Sequence, residues 1–159
     1  MKHLSSFEKL KLNSDLLKYS RSKASLQKIK HLNEEGADVN SKDVSGDTPL
    51  YYAVINIFHN CVKLLIENGA DVNNQNNEGF SPLLASLSVM SYNFRRNKET
   101  YCKIIDILIE NGADMNLKNK SGHDVFDVRN EDIKKYIIDK FPIQYENYLI
   151  KKNVSKYNL

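Results

Sequence analysis

Apolar residues gather in this chain at helical spacing. The runs Cys61-Val62-Lys63-Leu64-Leu65-Ile66 and Ile104-Ile105-Asp106-Ile107-Leu108-Ile109 each turn one apolar face toward a core. Both are followed by Glu-Asn-Gly, so Gly69 and Gly112 stop a helix by taking the left-handed conformation that a side chain resists. Upstream of each run a hydroxyl residue precedes proline, as Thr48-Pro49 and Ser81-Pro82. The hydroxyl caps free N–H groups and proline fits the first helical position, so each pair predicts the start of another helix. The chain reads as helix, turn, helix, then a polar reversal containing Gly46, Gly79 or Gly122, expected to form a hairpin-like finger.

These pieces repeat. Gly36-Ala37-Asp38-Val39-Asn40 recurs from Gly69 and again as Gly112-Ala113-Asp114-Met115-Asn116. Gly46-Asp47-Thr48-Pro49-Leu50 recurs as Gly79-Phe80-Ser81-Pro82-Leu83 and, more weakly, from Gly122. Both series step by 33 and then by 43, so the third unit carries an insertion. A fixed period of this length is the mark of stacked repeat units.

With Thr-Pro-Leu at its head and Gly-Ala-Asp-Val-Asn at its tail, the unit resembles the ankyrin repeat. The resemblance covers about residues 10–141 and implies an all-α solenoid of stacked helix-turn-helix units with hairpin-like fingers. One domain over 1–150 is expected, with units at 10–42, 43–75, 76–118 (insertion near 90–100) and a capping unit at 119–141. In the cap, Phe126 and Val128 are expected to supply the first helix and Ile133, Ile137 and Ile138 the second. The tail 143–159 is expected to dock up to Ile150, with 151–159 flexible. Two departures from the family pattern stand out. Ile57-Phe58 replaces the Gly-His pair between the helices, so Asn56 or Asn60 is expected to supply the turn. Tyr51 and Leu84 replace the usual histidine after Thr-Pro-Leu, removing a polar contact normally shared between fingers.

The resemblance implies protein binding through the finger tips and the concave face of the first helices. Carried over position by position, these are Val44, Ser45, Asp47, Ile55 and Asn56, then Asn77, Glu78, Phe80, Ser88 and Val89, then Lys120, Ser121 and His123. Phe80 reads either as an aromatic anchor or as a residue tucked against the next finger. In the insertion, Tyr92, Phe94, Arg95 and Arg96 combine residue types enriched at interfaces, though the insertion could equally lengthen two helices that pack their own aromatics. Asn40, Asn73 and Asn116 stand where some family members are hydroxylated, and where an amide could instead cap the finger backbone.

Charge narrows the partner. Residues 1–30 carry a net +6, residues 31–133 carry −7 and residues 134–159 carry +4. Basic ends around an acidic middle do not make the continuous basic face that nucleic acid requires. No run approaches the length of apolar residues a membrane helix needs, and Met1–Leu12 lacks the apolar region of a signal peptide. With two cysteines, Cys61 and Cys102, the chain fits a reducing compartment. Scattered histidines make no metal pattern, and no phosphate loop or nucleophile motif occurs. The expectation is therefore a monomeric, cytoplasmic adaptor or inhibitor that is not an enzyme and has no cofactor. Its short, Lys- and Asn-rich character is similar to host-directed ankyrin proteins of intracellular bacteria and large DNA viruses. The alternatives are an immunity protein whose acidic surface blocks a toxin enzyme, and an enzyme or its regulatory domain.

Overall fold

A computed structural model describes residues 4–22, 26–127 and 131–157, with backbone only at 90–96 and 155–157. Among the described residues seven helical elements follow one another: α1 (Ser6–Arg21), α2 (Leu26–Glu34), α3 (Pro49–Ile55), α4 (His59–Glu67), α5 (Pro82–Glu110), α6 (Glu131–Lys140) and α7 (Pro142–Tyr157). The first helices stack in one row, α1 beside α3 and α3 beside α5, and α4 lies behind between α2 and α5.

Helix starts form as the sequence predicts. The Thr48 Oγ1 accepts from the Tyr51 N–H at 3.1 Å and the Ser81 Oγ from the Leu84 N–H at 3.3 Å, with proline just inside each helix. Ser5 and Glu8 form a reciprocal capping box on α1. At the other end of the second helices, Asn68 and Asn111 donate their side-chain amides back to the Leu64 and Ile107 carbonyls, both at 2.7 Å. Gly69 and Gly112 then reverse the chain at φ of 87° and 86°.

The core is a set of columns, one residue per unit. Leu32, Leu65 and Leu108 form one column, and Ile29, Val62 and Ile105 another, all buried. Each unit leaves an apolar face that only its neighbours cover, so stability comes from stacking. Truncating a central member such as Leu65 to alanine costs about 2–5 kcal/mol.

Two features depart from the sequence reading, the turn between the helices and the start of the cap, while the insertion follows one of its two alternatives. The turn between α3 and α4 falls on Ile57, at φ 62°, a region that β-branched residues rarely enter. Asn56 assists by donating its amide to the Tyr52 carbonyl at 2.8 Å, while Asn60 lies inside α4. In the third unit the insertion is helical: α5 breaks at Asn97 (φ −134°, ψ 28°), and the extra residues lengthen the helical arms on either side. In the cap, Asp124–Asp127 is a turn rather than the expected first helix. There the Asp127 N–H donates to the Asp124 carbonyl at 3.2 Å and the Phe126 N–H to the Asp124 Oδ1 at 2.9 Å; Val128 lies outside the described residues.

Ile133 and Ile137 are buried as expected, and Ile138 is half-buried. Helix α7 continues past Ile150 to Tyr157. Tyr148 is buried and donates to the Asp124 Oδ2 at 3.1 Å, and Lys152 pairs with the same carboxylate, which is 2% exposed. A second clasp holds α6 to α5: the Tyr136 hydroxyl donates to the Asp106 Oδ1 at 2.7 Å, and Lys140 pairs with Oδ2. Burial and that acceptor push the Tyr136 hydroxyl up to about 12.

Candidate protein-binding face

Each finger is a turn held by one side chain. The Oδ1 atoms of Asp43, Asn76 and Asn119 each accept two backbone N–H groups, two and four residues ahead, at 2.9–3.0 Å. The second finger then bonds to the first and the third to the second. The Asn77 N–H donates to the Ser45 carbonyl and the Lys120 N–H to the Glu78 carbonyl, both at 2.9 Å. Two finger amides serve where histidine would normally link neighbouring fingers. The Gln75 Nε2 bridges the Gly79 and Lys118 carbonyls at 2.6 and 2.9 Å, and the Asn76 Nδ2 donates to the Asp47 Oδ1 at 2.8 Å.

Below the fingers runs a second ladder. The Asn40 Oδ1 accepts the Asp71 N–H at 2.8 Å and its Nδ2 donates to the Gly69 carbonyl at 3.0 Å. Asn73 repeats this toward Asp114 and Gly112 at 2.7 and 3.0 Å. Asn116 makes no such bridge among the described residues, and its amide turns back to the Asp114 Oδ1 at 2.7 Å.

On this frame the tips Val44, Ser45, Asn77, Glu78, Lys120, Ser121 and His123 are exposed, and Ile55, Asn56, Phe80, Ser88 and Val89 are half-buried. Several already spend their polar atoms internally. The Asn77 Nδ2 donates to the Val44 carbonyl at 3.0 Å, and the Ser88 Oγ to the Leu84 carbonyl at 3.0 Å. Asp47 is not a surface contact: it is buried, and its carboxylate accepts from Asn76 and from the Tyr52 hydroxyl, the latter at 3.1 Å. Side chains of Tyr92, Phe94, Arg95 and Arg96 lie outside the described residues.

The arrangement also brings forward residues that the sequence did not place on the binding face. Tyr51 and Tyr52 meet edge to face, centroids 5.8 Å apart, on α3 beside the first finger. The Arg21 guanidinium lies over the Tyr52 ring at 4.1 Å and pairs with Asp43. Burial alone would raise the Asp43 carboxyl, but hydrogen bonds from Tyr52 and from the Asp47 and Ser45 N–H groups, with the charge of Arg21, hold it below its ordinary range. Burial and the two carboxylates raise Tyr52 far above the ordinary phenol range. Cys61 is buried, which pushes its thiol up to about 12, and Cys102 is half-buried; both are free.

The stacked helix pairs, the finger ladder and the Asn ladder define a protein built of stacked repeat units. A family model of ankyrin repeats matches residues 17–119 in three copies, so the chain belongs to the ankyrin-repeat family. Ankyrin repeats generally mediate protein–protein interaction. Comparison with curated proteins gave no match. No helix among the described residues is long and apolar enough to cross a membrane.

Proposed function

We propose that this chain is a cytoplasmic adaptor or inhibitor that holds a partner protein against its finger tips and the uncharged inner surface below them. The carrying observation is that surface. Helix α3 and the first arm of α5 as far as Val89 contain no charged residue, while Tyr51, Ile55, Phe80 and Val89 remain half-accessible. A water-facing strip of aromatic and aliphatic side chains, rimmed by polar tips, is how an interface core is built. The free thiols at Cys61 and Cys102 suit a reducing compartment.

The acids of the middle segment do not favour the toxin-blocking variant. Asp38, Asp71 and Asp114 each accept the N–H two residues on at 2.9 Å. Asp43, Asp106 and Asp124 are paired with Arg21, Lys140 and Lys152. A partner recognised by shape and apolar contact fits this surface better than a basic enzyme recognised by charge.

The test is affinity capture from cytosol with the wild-type chain and with an Ile55→Asp, Phe80→Ala, Val89→Asp variant, followed by calorimetry on the captured partner. A partner bound by wild type and weakened about tenfold or more in the variant supports the reading. Equal retention by both proteins would overturn it.

A further inference from the structure

At the C-terminal end α6 and α7 bury Val125, Ile133, Ile137 and Tyr148, while Ile143, Ile150 and Val154 on α7 stay exposed. At the other end α1 leaves Phe7 and Leu10 exposed, at 76% and 68%. Phe7, Leu10, Ser14, Leu17 and Arg21 are spaced by threes and fours, so they run along one face of the helix.

The first finger is open on the same side. Val44 occupies the position of Asn77 and Lys120, whose N–H groups donate to the finger before them. The Val44 N–H has no acceptor among the described residues, and its side chain is 97% exposed. Between this finger and α1 lies a groove of about 840 Å³, with Leu10, Leu17 and Val44 as its apolar wall and Lys18 and Lys42 on its rim. Asp38 and Asp43 also line it, Asp43 paired with Arg21, so that Lys18, Lys42 and Arg21 outnumber the two carboxylates by one charge; Lys42 also donates to the Gln75 carbonyl at 3.4 Å. The groove therefore presents a free main-chain donor, apolar wall and net positive rim.

Charge selects the occupant. Helix α1 carries Lys9, Lys11, Lys18 and Arg21 against Glu8 and Asp15, within a basic first thirty residues. A second copy docked through α1 would set like charges together, whereas an acidic segment would be drawn in. What lies beside the second and third fingers is a main-chain carbonyl of the finger before, Ser45 or Glu78, so the place beside the first is open to a main-chain carbonyl as well. We infer that this edge docks an acidic and apolar segment of a partner protein, with a main-chain carbonyl accepting the Val44 N–H. Its apolar side chains rest on Leu10, Leu17 and Val44, and its carboxylates lie by Lys18 and Lys42. The inference rests on the interaction-module reading and places a second contact away from Phe80. One added main-chain bond fixes register and the groove supplies selectivity, as in strand addition to an open edge.

The experiment selects displayed random peptides on the full chain, then measures a selected synthetic peptide by fluorescence anisotropy. Acidic-apolar sequences should be enriched and should bind less tightly as salt rises. Binding should weaken about tenfold in Leu10→Asp and in Val44→Asp, whose exposed positions leave folding intact by circular dichroism, and stay unchanged in Phe80→Ala. By hydrogen exchange, the Val44 amide should exchange faster than those of Asn77 and Lys120 in the free chain and become protected by the peptide. The inference is overturned if no acidic sequence is enriched, or if binding ignores both aspartate variants. It also falls if Leu10→Asp instead abolishes dimerisation of the free chain, which would make a second copy the occupant. Acidic peptides that depend on Phe80 but not on Val44 would refute this edge and leave the inner-surface reading standing.

Discussion

Asn73 joins two units through one side chain, accepting the Asp114 N–H at 2.7 Å and donating to the Gly112 carbonyl at 3.0 Å. Both backbone groups belong to the next repeat and have no other partner among the described residues at the point where the chain leaves its helix. Asn116 has nearly the same sequence context, with Met115 in place of Val72, but makes no such bridge among the described residues, so matching motifs carry different structural weight.

Replacing Asn73 by alanine should therefore cost about 2 kcal/mol, roughly one for each hydrogen bond removed. Asn116→Ala, which affects only the pairing with the neighbouring Asp114, should cost well under half of that. Chemical denaturation of both variants measures the difference; equal losses would mean that the bridge contributes little.

Close approach of the fingers makes a second contrast. A Cβ at Gly79 would stand 2.8 Å from the Asn119 Cα and 2.9 Å from the Lys120 nitrogen, whereas one at Gly122 meets nothing within 4 Å. Both have positive φ, so alanine at either costs about 1 kcal/mol of backbone strain. Gly79→Ala should lose more than Gly122→Ala in thermal unfolding, because it also pushes two backbones apart.

At Ile57 the left-handed backbone is stored strain, partly offset by packing against the core. Ile57→Gly and Ile57→Ala remove similar apolar surface, but glycine alone relieves the strain. The glycine variant should be the more stable of the two by about 1 kcal/mol, read from their denaturation midpoints.

Acid should act partly through Asp43. Its folded-state pKa lies below the ordinary value of 3.8, so the unfolded chain binds the proton more readily. The contribution is complete above the unfolded value and is lost as pH falls through the folded one. Asp43→Asn keeps an acceptor like those of Asn76 and Asn119 but loses the ion pair to a half-exposed arginine, costing no more than about 1 kcal/mol near neutral pH. Its stability should fall less steeply than wild type below about pH 4, as measured by urea unfolding across an acid series.

The repeat was legible because its signals are local. A hydroxyl before proline caps a helix wherever it stands, and glycine after Glu-Asn ends one, so Thr48, Ser81, Gly69 and Gly112 announce their structure from neighbours alone. Asp47 reads as a tip contact in the sequence because its burial depends on Tyr52 arriving from the next helix and Asn76 from the next finger. The Ile57 turn is hidden for the same reason: propensity argues against it, and packing overrides propensity. The open edge at Val44 becomes visible only when all three fingers are laid side by side, since what distinguishes it is a bond its two counterparts make.

The uncharged inner surface has a thermodynamic consequence. Association on the faces of α3 and the first arm of α5 would remove apolar area and bring no charge of those two helices against another, so calorimetry should record a negative heat-capacity change. Its affinity should respond to ionic strength only through the charged tips Glu78 and Lys120.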